Sequence, residues 1–355
     1  MCIINTMPSS ISIAETKAII DDYLTNLLYI RKQEAGQINA TYQALWSRIE
    51  HIVLVGGKRI RPYLTIVGND GFDDKILPVA VAQELVHVAM LIHDDVIDQD
   101  DVRHGEKNIS GIYRDVYSNY VNTDRAAHYA NSTGILAGDV LLSEAYRLLY
   151  KVDYSENTKR LIAEQLASSV FEVIGGELMD VEATFVDDIG FDPNDIYRYK
   201  TAGYSFIGPL LVGAYCQDTD SQICEILEKY AASIGIAFQM QDDLLDLYGD
   251  IVDTGKLSNI ADLREGKRTA LVAFHEQLMN ESHAKNFKYF GKSIATNGLL
   301  QKIKLDMVES GAKQKTENLI LEYLQQARIQ LDKIPDSFRK TALVELTSRI
   351  EARKK

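Results

Sequence analysis

Cysteine is scarce in this 355-residue chain: Cys2, Cys216 and Cys224 are the only three, with no CxxC pair and no even framework. That excludes a disulfide-stapled scaffold and points to a reducing, cytoplasmic compartment. Long hydrophobic runs are also missing. The longest, such as Ile207 to Cys216, reach about ten residues, short of the roughly 20 that a membrane span needs. The opening MCIINTMPSS lacks the basic flank and apolar region of a secretory signal, and the closing EARKK is no lipidation box, so the expectation is a soluble protein. Positive charge is in deficit as well. With 38 basic and 51 acidic side chains the net charge is −13, which argues against nucleic acid, whose backbone calls for a basic stripe. The acidic surplus suits a carboxylate cluster for metal ions or, more plainly, a solubilising surface.

Proline is the most informative shortage. Only Pro8, Pro62, Pro78, Pro193, Pro209 and Pro335 occur, and the stretches 79–192 and 210–334 have none, as long helices require. Leu85, Ala89, Ile92 and Val96 recur at four-three-four spacing, as do Leu227, Ala231, Ile234 and Phe238. Strict alternation is scarce and no hairpin dipeptide separates β-branched runs, so the fold class is all-α. The spacing predicts helices over 12–33, 37–54, 60–68, 76–98, 124–151, 156–186, 193–201, 203–217, 220–248, 267–281, 284–294, 296–309, 313–333 and 336–353. Breaks are expected at Gly56-Gly57, at Asn69 to Gly71, from Gly105 to Gly111, from Gly190 to Pro193 and from Gly249 to Gly266. No linker composition divides the chain and no repeat has a fixed period, so one domain over 1–355 is expected.

Two aspartate motifs dominate what is present. Asp94-Asp95-Val96-Ile97-Asp98 is followed closely by Asp100 and Asp101, and Asp242-Asp243-Leu244-Leu245-Asp246 by Asp250. On a helix, positions i and i+4 share a face, so Asp94 stands beside Asp98 and Asp242 beside Asp246. Like charges at that spacing repel, the more so when partly buried. Hard divalent cations with oxygen ligands relieve this, and magnesium that keeps its waters and shares phosphate oxygens suits one or two carboxylates per ion. A single DDxxD reads most simply as a solvated acidic helix end; two of the same form, each after core-like turns, read as metal ligands. His93-Asp94 offers a rival, the metal-binding dipeptide of a phosphohydrolase, but it leaves the second motif without a role.

Basic residues gather at glycine-rich breaks. Gly56-Gly57-Lys58-Arg59-Ile60-Arg61-Pro62 opens a helix whose amides favour anions, and Lys58 and Arg61 add charge-assisted bonds to a phosphate; a capped junction with solvated side chains is an equal reading. Lys200-Thr201-Ala202-Gly203, Gly255-Lys256 and Asp262 to Thr269 have the same character, as diphosphate clamps or as solubilising loops.

Taken together, GGKRIRP (56–62), ELVHVAMLIHDDVIDQDDVRHG (84–105), GILAGDVLL (134–142), GGELMD (175–180), YKTAG (199–203), GIAFQMQDDLLDLYGD (235–250) and DLREGKRT (262–269) resemble the trans-polyprenyl diphosphate synthases. They keep that family's order over about 210 residues. The resemblance implies a helical bundle around a deep central cavity, the isoprenoid synthase type I fold, with the two motifs facing one another across its mouth, and a homodimer. Class I terpene cyclases share the fold and first motif, but their second metal motif is usually of the NSE or DTE type, unlike DDLLD here.

The implied reaction is the head-to-tail condensation of isopentenyl diphosphate with an allylic diphosphate. The resemblance implies Mg²⁺, three ions per site with diphosphate bound, held by Asp94, Asp98 and Asp242 with Asp95, Asp243 and Asp246 in support. It assigns Arg103, Lys200 and Lys267 to the allylic diphosphate, Lys256 to closure over it, and Lys58, Arg61 and His87 to isopentenyl diphosphate. Thr201 and Gln239 present oxygen dipoles to the allylic cation, and the departing pyrophosphate removes the proton, so no protein nucleophile is needed.

Independently of the resemblance, His87, Met90, Asp94 and Asp98 share one helix face, as do Phe238, Gln239, Asp242 and Asp246, each apolar or amide below and carboxylate above. The chain departs from the family at Arg103-His104-Gly105, where a second arginine is usual; His104 titrates near neutrality and would weaken isopentenyl diphosphate binding or make it pH-sensitive. After Lys256 it reads LSNIADL where the family often has proline and glycine. Ala89 and Met90 lie about 7.5 and 6 Å below Asp94 along a helix. Family members with short products often carry a ring there, so a small Ala89 argues for geranylgeranyl diphosphate, with a longer polyprenyl product as the alternative. A regulatory subunit without activity would usually have lost an aspartate motif or the GGKR segment, and this chain keeps all three.

Overall fold

Polar side chains at helix starts set most of the boundaries. In the computed structural model, which describes residues 11–103, 105–186, 192–249 and 260–353, Ser12 forms a capping box with Glu15 and opens α1 (Ile13–Ile38). Asn39 accepts the Tyr42 amide and starts α2 (Ala40–Val55). Asn108 caps α5 (Ile109–Ser118), Asn122 caps α6 (Thr123–Lys151) and Asp220 caps α10 (Ser221–Tyr248). The remaining long helices are α4 (Leu77–Ile97), α7 (Glu156–Phe185), α14 (Asn297–Glu309), α15 (Ala312–Leu331) and α16 (Phe338–Ala352). Shorter ones are α3 (Ile60–Gly68), α8 (Pro193–Ile196), α9 (Gly208–Cys216), α11 (Ala261–Glu265), α12 (Ala270–Leu278) and α13 (Glu281–Phe287). The fold is all-α, and no described helix is long and apolar enough to cross a membrane. The chain divides into two compact units, Met1–Gln165 with Val212–Asp218, and Leu166–Leu211 with Thr219–Lys355.

In the first unit α4 is buried on nearly every side: Val79, Ala80, Val81, Ala82, Leu85, Ala89 and Ile92 have almost no exposed surface. It packs on α3 and on the small-residue face of α6, where Ala130, Ala137 and Ala145 are buried. Asp98 caps α4 with its amide on the Asp94 carbonyl (2.8 Å), so the first aspartate motif is the last turn of a core helix. Arg59, 2 % exposed, ties this unit internally, donating to Asp21 (2.8 Å), Glu84 (2.6 Å) and the Val53 carbonyl (2.6 Å).

In the second unit α10 packs on α15 and on a π-helix over Tyr197–Ile207. Tyr230, fully buried on α10, donates to the Leu343 carbonyl (3.1 Å) and meets the Thr347 hydroxyl (3.0 Å). A separate apolar cluster of Leu247, Leu263, Leu271, Phe287, Leu300, Ile303 and Met307 joins the end of α10 to the shorter helices after it.

Four segments differ from the expectation, the first being α11 (Ala261–Glu265), which forms inside the break expected from Gly249 to Gly266. Gly105 to Gly111 is not one break: Val102–Arg103 and Glu106–Lys107 form a small antiparallel hairpin, and α5 follows. Gly111 lies inside that helix because the Asp101 carbonyl oxygen passes 2.2 Å from where a Cβ would stand. The expected division near Ala202 is a continuous π-helix, in which the Gly208 amide reaches back five residues to the Gly203 carbonyl. The helix expected over 284–294 occupies Glu281–Phe287 instead, moved forward by the Asn280 cap on Ser282 and His283.

Replacing Arg59 by Met leaves the Glu84 carboxylate buried without its cation. We expect a loss of about 3–5 kcal/mol in urea unfolding, largely recovered in the Arg59→Met/Glu84→Gln double variant. An equal loss in both would show that the ion pair is not the cause.

Candidate active site

The first motif differentiates its three aspartates. Asp95 turns into the protein, with 4 % of its surface exposed, while Asp94 is half-buried and Asp98 exposed. Arg103, carried by the hairpin, donates from Nε to Asp95 Oδ1 (2.6 Å) and from Nη2 to Asp94 Oδ2 (2.8 Å). Burial pushes the Asp95 carboxyl up to about 6, against the pull of Arg103. One arginine thus bridges two adjacent carboxylates, and Asp98 stands one turn on at the mouth of the helix end. These donors are all oxygen, and the outward pair is carboxylate, which fits a hard divalent cation such as Mg²⁺.

The second motif repeats the pattern with different donors. Asp243 receives the Tyr197 hydroxyl on Oδ2 (2.5 Å) and the Gln239 amide on Oδ1 (3.0 Å). Burial pushes its carboxyl up to about 7, while these two hydrogen bonds favour the ionised form. The network extends both ways: Thr201 donates to Gln239 Oε1 (2.9 Å), and the Ala270 amide donates to the Tyr197 oxygen (2.8 Å). Asp242 and Asp246 are half-buried on the same face of α10. Arg353 places Nη2 2.9 Å from Asp242 Oδ1 and its guanidinium 4.6 Å above the Phe238 ring.

Lys200 lies on the π-helix and bonds Asp180 (2.5 Å) and Glu177 (3.0 Å) from the GGELMD segment of α7. Gly176 permits this approach, since a Cβ there would stand 2.2 Å from the Lys200 amide nitrogen. Lys58 is exposed beside Arg59, whose backbone is left-handed at φ 53°, and Arg61 is half-buried in the first turn of α3. His87 and Met90 are half-buried on α4, whereas Ala89 is fully buried in its packing. Lys267 lies near Glu265 (3.4 Å) and Asp262 (3.7 Å). His104 and Lys256 fall outside the described residues.

The structure therefore gathers Asp94, Asp95, Asp98 and Arg103 in one cluster, and Thr201, Gln239, Asp242 and Asp243 in another. Sequence reasoning did not find Tyr197, the Lys200 partners or Arg353. Tyr197 had a weak signal, an aromatic three residues before Lys200; Arg353 had none.

An all-α chain with two such aspartate-rich motifs at helix ends has the isoprenoid synthase fold. The sequence pattern of the polyprenyl synthetase family matches residues 43–305, and the chain belongs to that family. It is 33% identical over 245 residues to a short chain isoprenyl diphosphate synthase of Methanocaldococcus jannaschii, covering 68% of this chain and 69% of that one. It is 29% identical over 318 residues to the geranylgeranyl diphosphate synthase of Methanosarcina mazei, covering 86% and 88%. The crystal structure of a geranylgeranyl pyrophosphate synthase from Corynebacterium glutamicum, complexed with isoprenyl diphosphate and magnesium, superposes with a TM-score of 0.90 at 27% identity, covering 97% of this chain and all of that one.

Two outcomes follow. Because the folded pKa values of Asp95 and Asp243 are raised above 3.8, the folded state holds more protons than the unfolded one; their contribution is complete below that value and is lost as pH rises through about 6 and about 7. In metal-free buffer, Asp243→Asn, which cannot ionise, should flatten the fall in Tm between pH 5 and 8; an unchanged slope would remove Asp243 as its source. Arg353→Gln takes a cation off Asp242, so half-saturation by Mg²⁺ in calorimetry should fall severalfold.

Proposed function

We propose that the chain is a Mg²⁺-dependent trans-prenyltransferase that condenses isopentenyl diphosphate with an allylic diphosphate, yielding geranylgeranyl diphosphate. One observation carries the site assignment. In both motifs the second aspartate is held inward by protein donors, Arg103 in one and Tyr197 with Gln239 in the other, while the first carries an arginine contact, Arg103 on Asp94 and Arg353 on Asp242, that bound ions would share or replace. Asp94, Asp98 and Asp242 are the principal ligands in this reading, with Asp95, Asp243 and Asp246 in support, and three ions accompany the diphosphate. Bound Mg²⁺ supplies Lewis acidity that draws charge onto the leaving diphosphate.

The protein's own groups do the rest. Arg103, Lys200 and Lys267 anchor the allylic diphosphate, with Lys256 closing over it, and Lys58, Arg61 and His87 anchor isopentenyl diphosphate. Because the Thr201 hydroxyl proton is committed to Gln239, the lone pairs of Thr201 Oγ1 are oriented to stabilise the allylic cation. Gln239 is in turn fixed by Asp243, so its dipole cannot rotate freely. Met90, half-buried on α4 with the small Ala89 packed beside it, supplies a partial floor, which favours a C20 product over a shorter one; a product of C30 or more is the alternative.

A homodimer accords with the exposed stripe Phe171, Ile174, Leu178 and Phe185 along α7, too large an apolar set to leave in water. The thiols Cys216 and Cys224, which form no disulfide, accord with a cytoplasmic location. We treat 1–355 as one functional domain because the family match runs through both compact units. The phosphohydrolase alternative loses ground because His93 turns Nε2 to the Ile135 carbonyl (3.2 Å) and Asp139 (3.6 Å).

The test is a product assay with Mg²⁺, isopentenyl diphosphate and dimethylallyl or farnesyl diphosphate, read by mass spectrometry. A C20 product is expected, lengthened in Met90→Ala and reduced about 10³-fold in rate by Asp242→Ala. Hydrolysis without elongation would overturn the reading, and inertness with every primer would favour a regulatory subunit.

A further inference from the structure

A second cluster of ligating side chains lies apart from the aspartate motifs, among the short helices that follow α10. His283 of α13 and Asp306 and Glu309 of α14 each offer one ligand atom, and these atoms all lie within 4.8 Å of one another. His283 Nε2 stands 3.7 Å from Glu309 Oε2. Asp306 and Glu309 are one turn apart, so both project from one face of α14.

The burial of this group is what needs explaining. Asp306 is 4 % exposed, yet the donor on its carboxylate is the neutral Asn286 amide (2.7 Å), and no lysine or arginine pairs with it among the described residues. His283 is 7 % exposed and its Nδ1 has no hydrogen-bond partner. His275, with no exposed surface, stands with its ring centre 5.8 Å from that of His283. His275 Nδ1 lies 2.9 Å from the Ser310 hydroxyl. The Nε2 of His275 is buried beside the cluster without a hydrogen-bond partner.

We propose that His283, Asp306 and Glu309 form a site for a zinc-class transition-metal ion, with solvent completing its coordination. The nitrogen donor distinguishes this site from the all-oxygen motifs and disfavours Mg²⁺. The ion would neutralise Asp306 and pin α13 to α14, and the exposed Glu309 side chain gives it access from water.

The experiment uses the full chain, freed of metal by chelator and held in millimolar Mg²⁺ to occupy the hard sites. Titration with Co²⁺ should produce the visible absorption of a tetrahedral N/O site at one equivalent, displaced by Zn²⁺ and retained in Asp242→Ala. Glu309→Gln, a surface change, and His283→Gln should each weaken binding about tenfold or more. No absorption and no heat of Zn²⁺ binding would overturn the proposal. So would binding undiminished in both variants, or binding lost in Asp242→Ala.

Discussion

Mutual repulsion among carboxylates is the constraint on which the site depends. Each DDxxD motif sets three acids within five residues at the end of a helix that its unit cannot move, α4 in one case and α10 in the other. Dispersing the charges would mean unwinding a core helix. The chain instead fixes the middle acid of each triplet inward on protein donors and sets an arginine against the first, Arg103 on Asp94 and Arg353 on Asp242. The inner acid then acts as a strut, and the strain of crowding is concentrated where an external cation can relieve it.

The two struts are built differently, and the difference has consequences. Arg103 supplies full positive charge from a hairpin only a few residues beyond its motif. Tyr197 and Gln239 supply neutral dipoles, and they belong to a line of hydrogen bonds from Thr201 through Asp243 to the amide that begins α12. Whatever alters the second motif is therefore felt at the Thr201 hydroxyl and at the start of α12, whereas the first motif answers mainly to its own hairpin.

Much of this was legible in the sequence, for definite reasons. Absence of proline and a 3.6-residue period exposed the long helices, and the i, i+4 rule placed the outward aspartates on shared faces. What stayed hidden depended on distant partners. Tyr197 meets Asp243 across 46 residues and Arg353 meets Asp242 across 111, and neither pairing leaves a local pattern. Gly111 looked like a break because its purpose, making room for the Asp101 carbonyl, is a tertiary one. Lys200 was marked by its motif, but the acids of α7 that hold it belong to another helix.

The π-helix over Tyr197–Ile207 bears on how such a chain changes over generations. A π turn is an α turn that has accommodated an extra residue, so loss of a single codon within the segment would restore an ordinary helix. Side chains beyond the deletion would swing by about 100° relative to those before it. Tyr197 and Thr201, which reach Asp243 and Gln239 from either side of that point, could then no longer do so together. The helix would survive intact while its chemistry was dismantled, so one in-frame deletion is a short route from a working copy to a purely structural one.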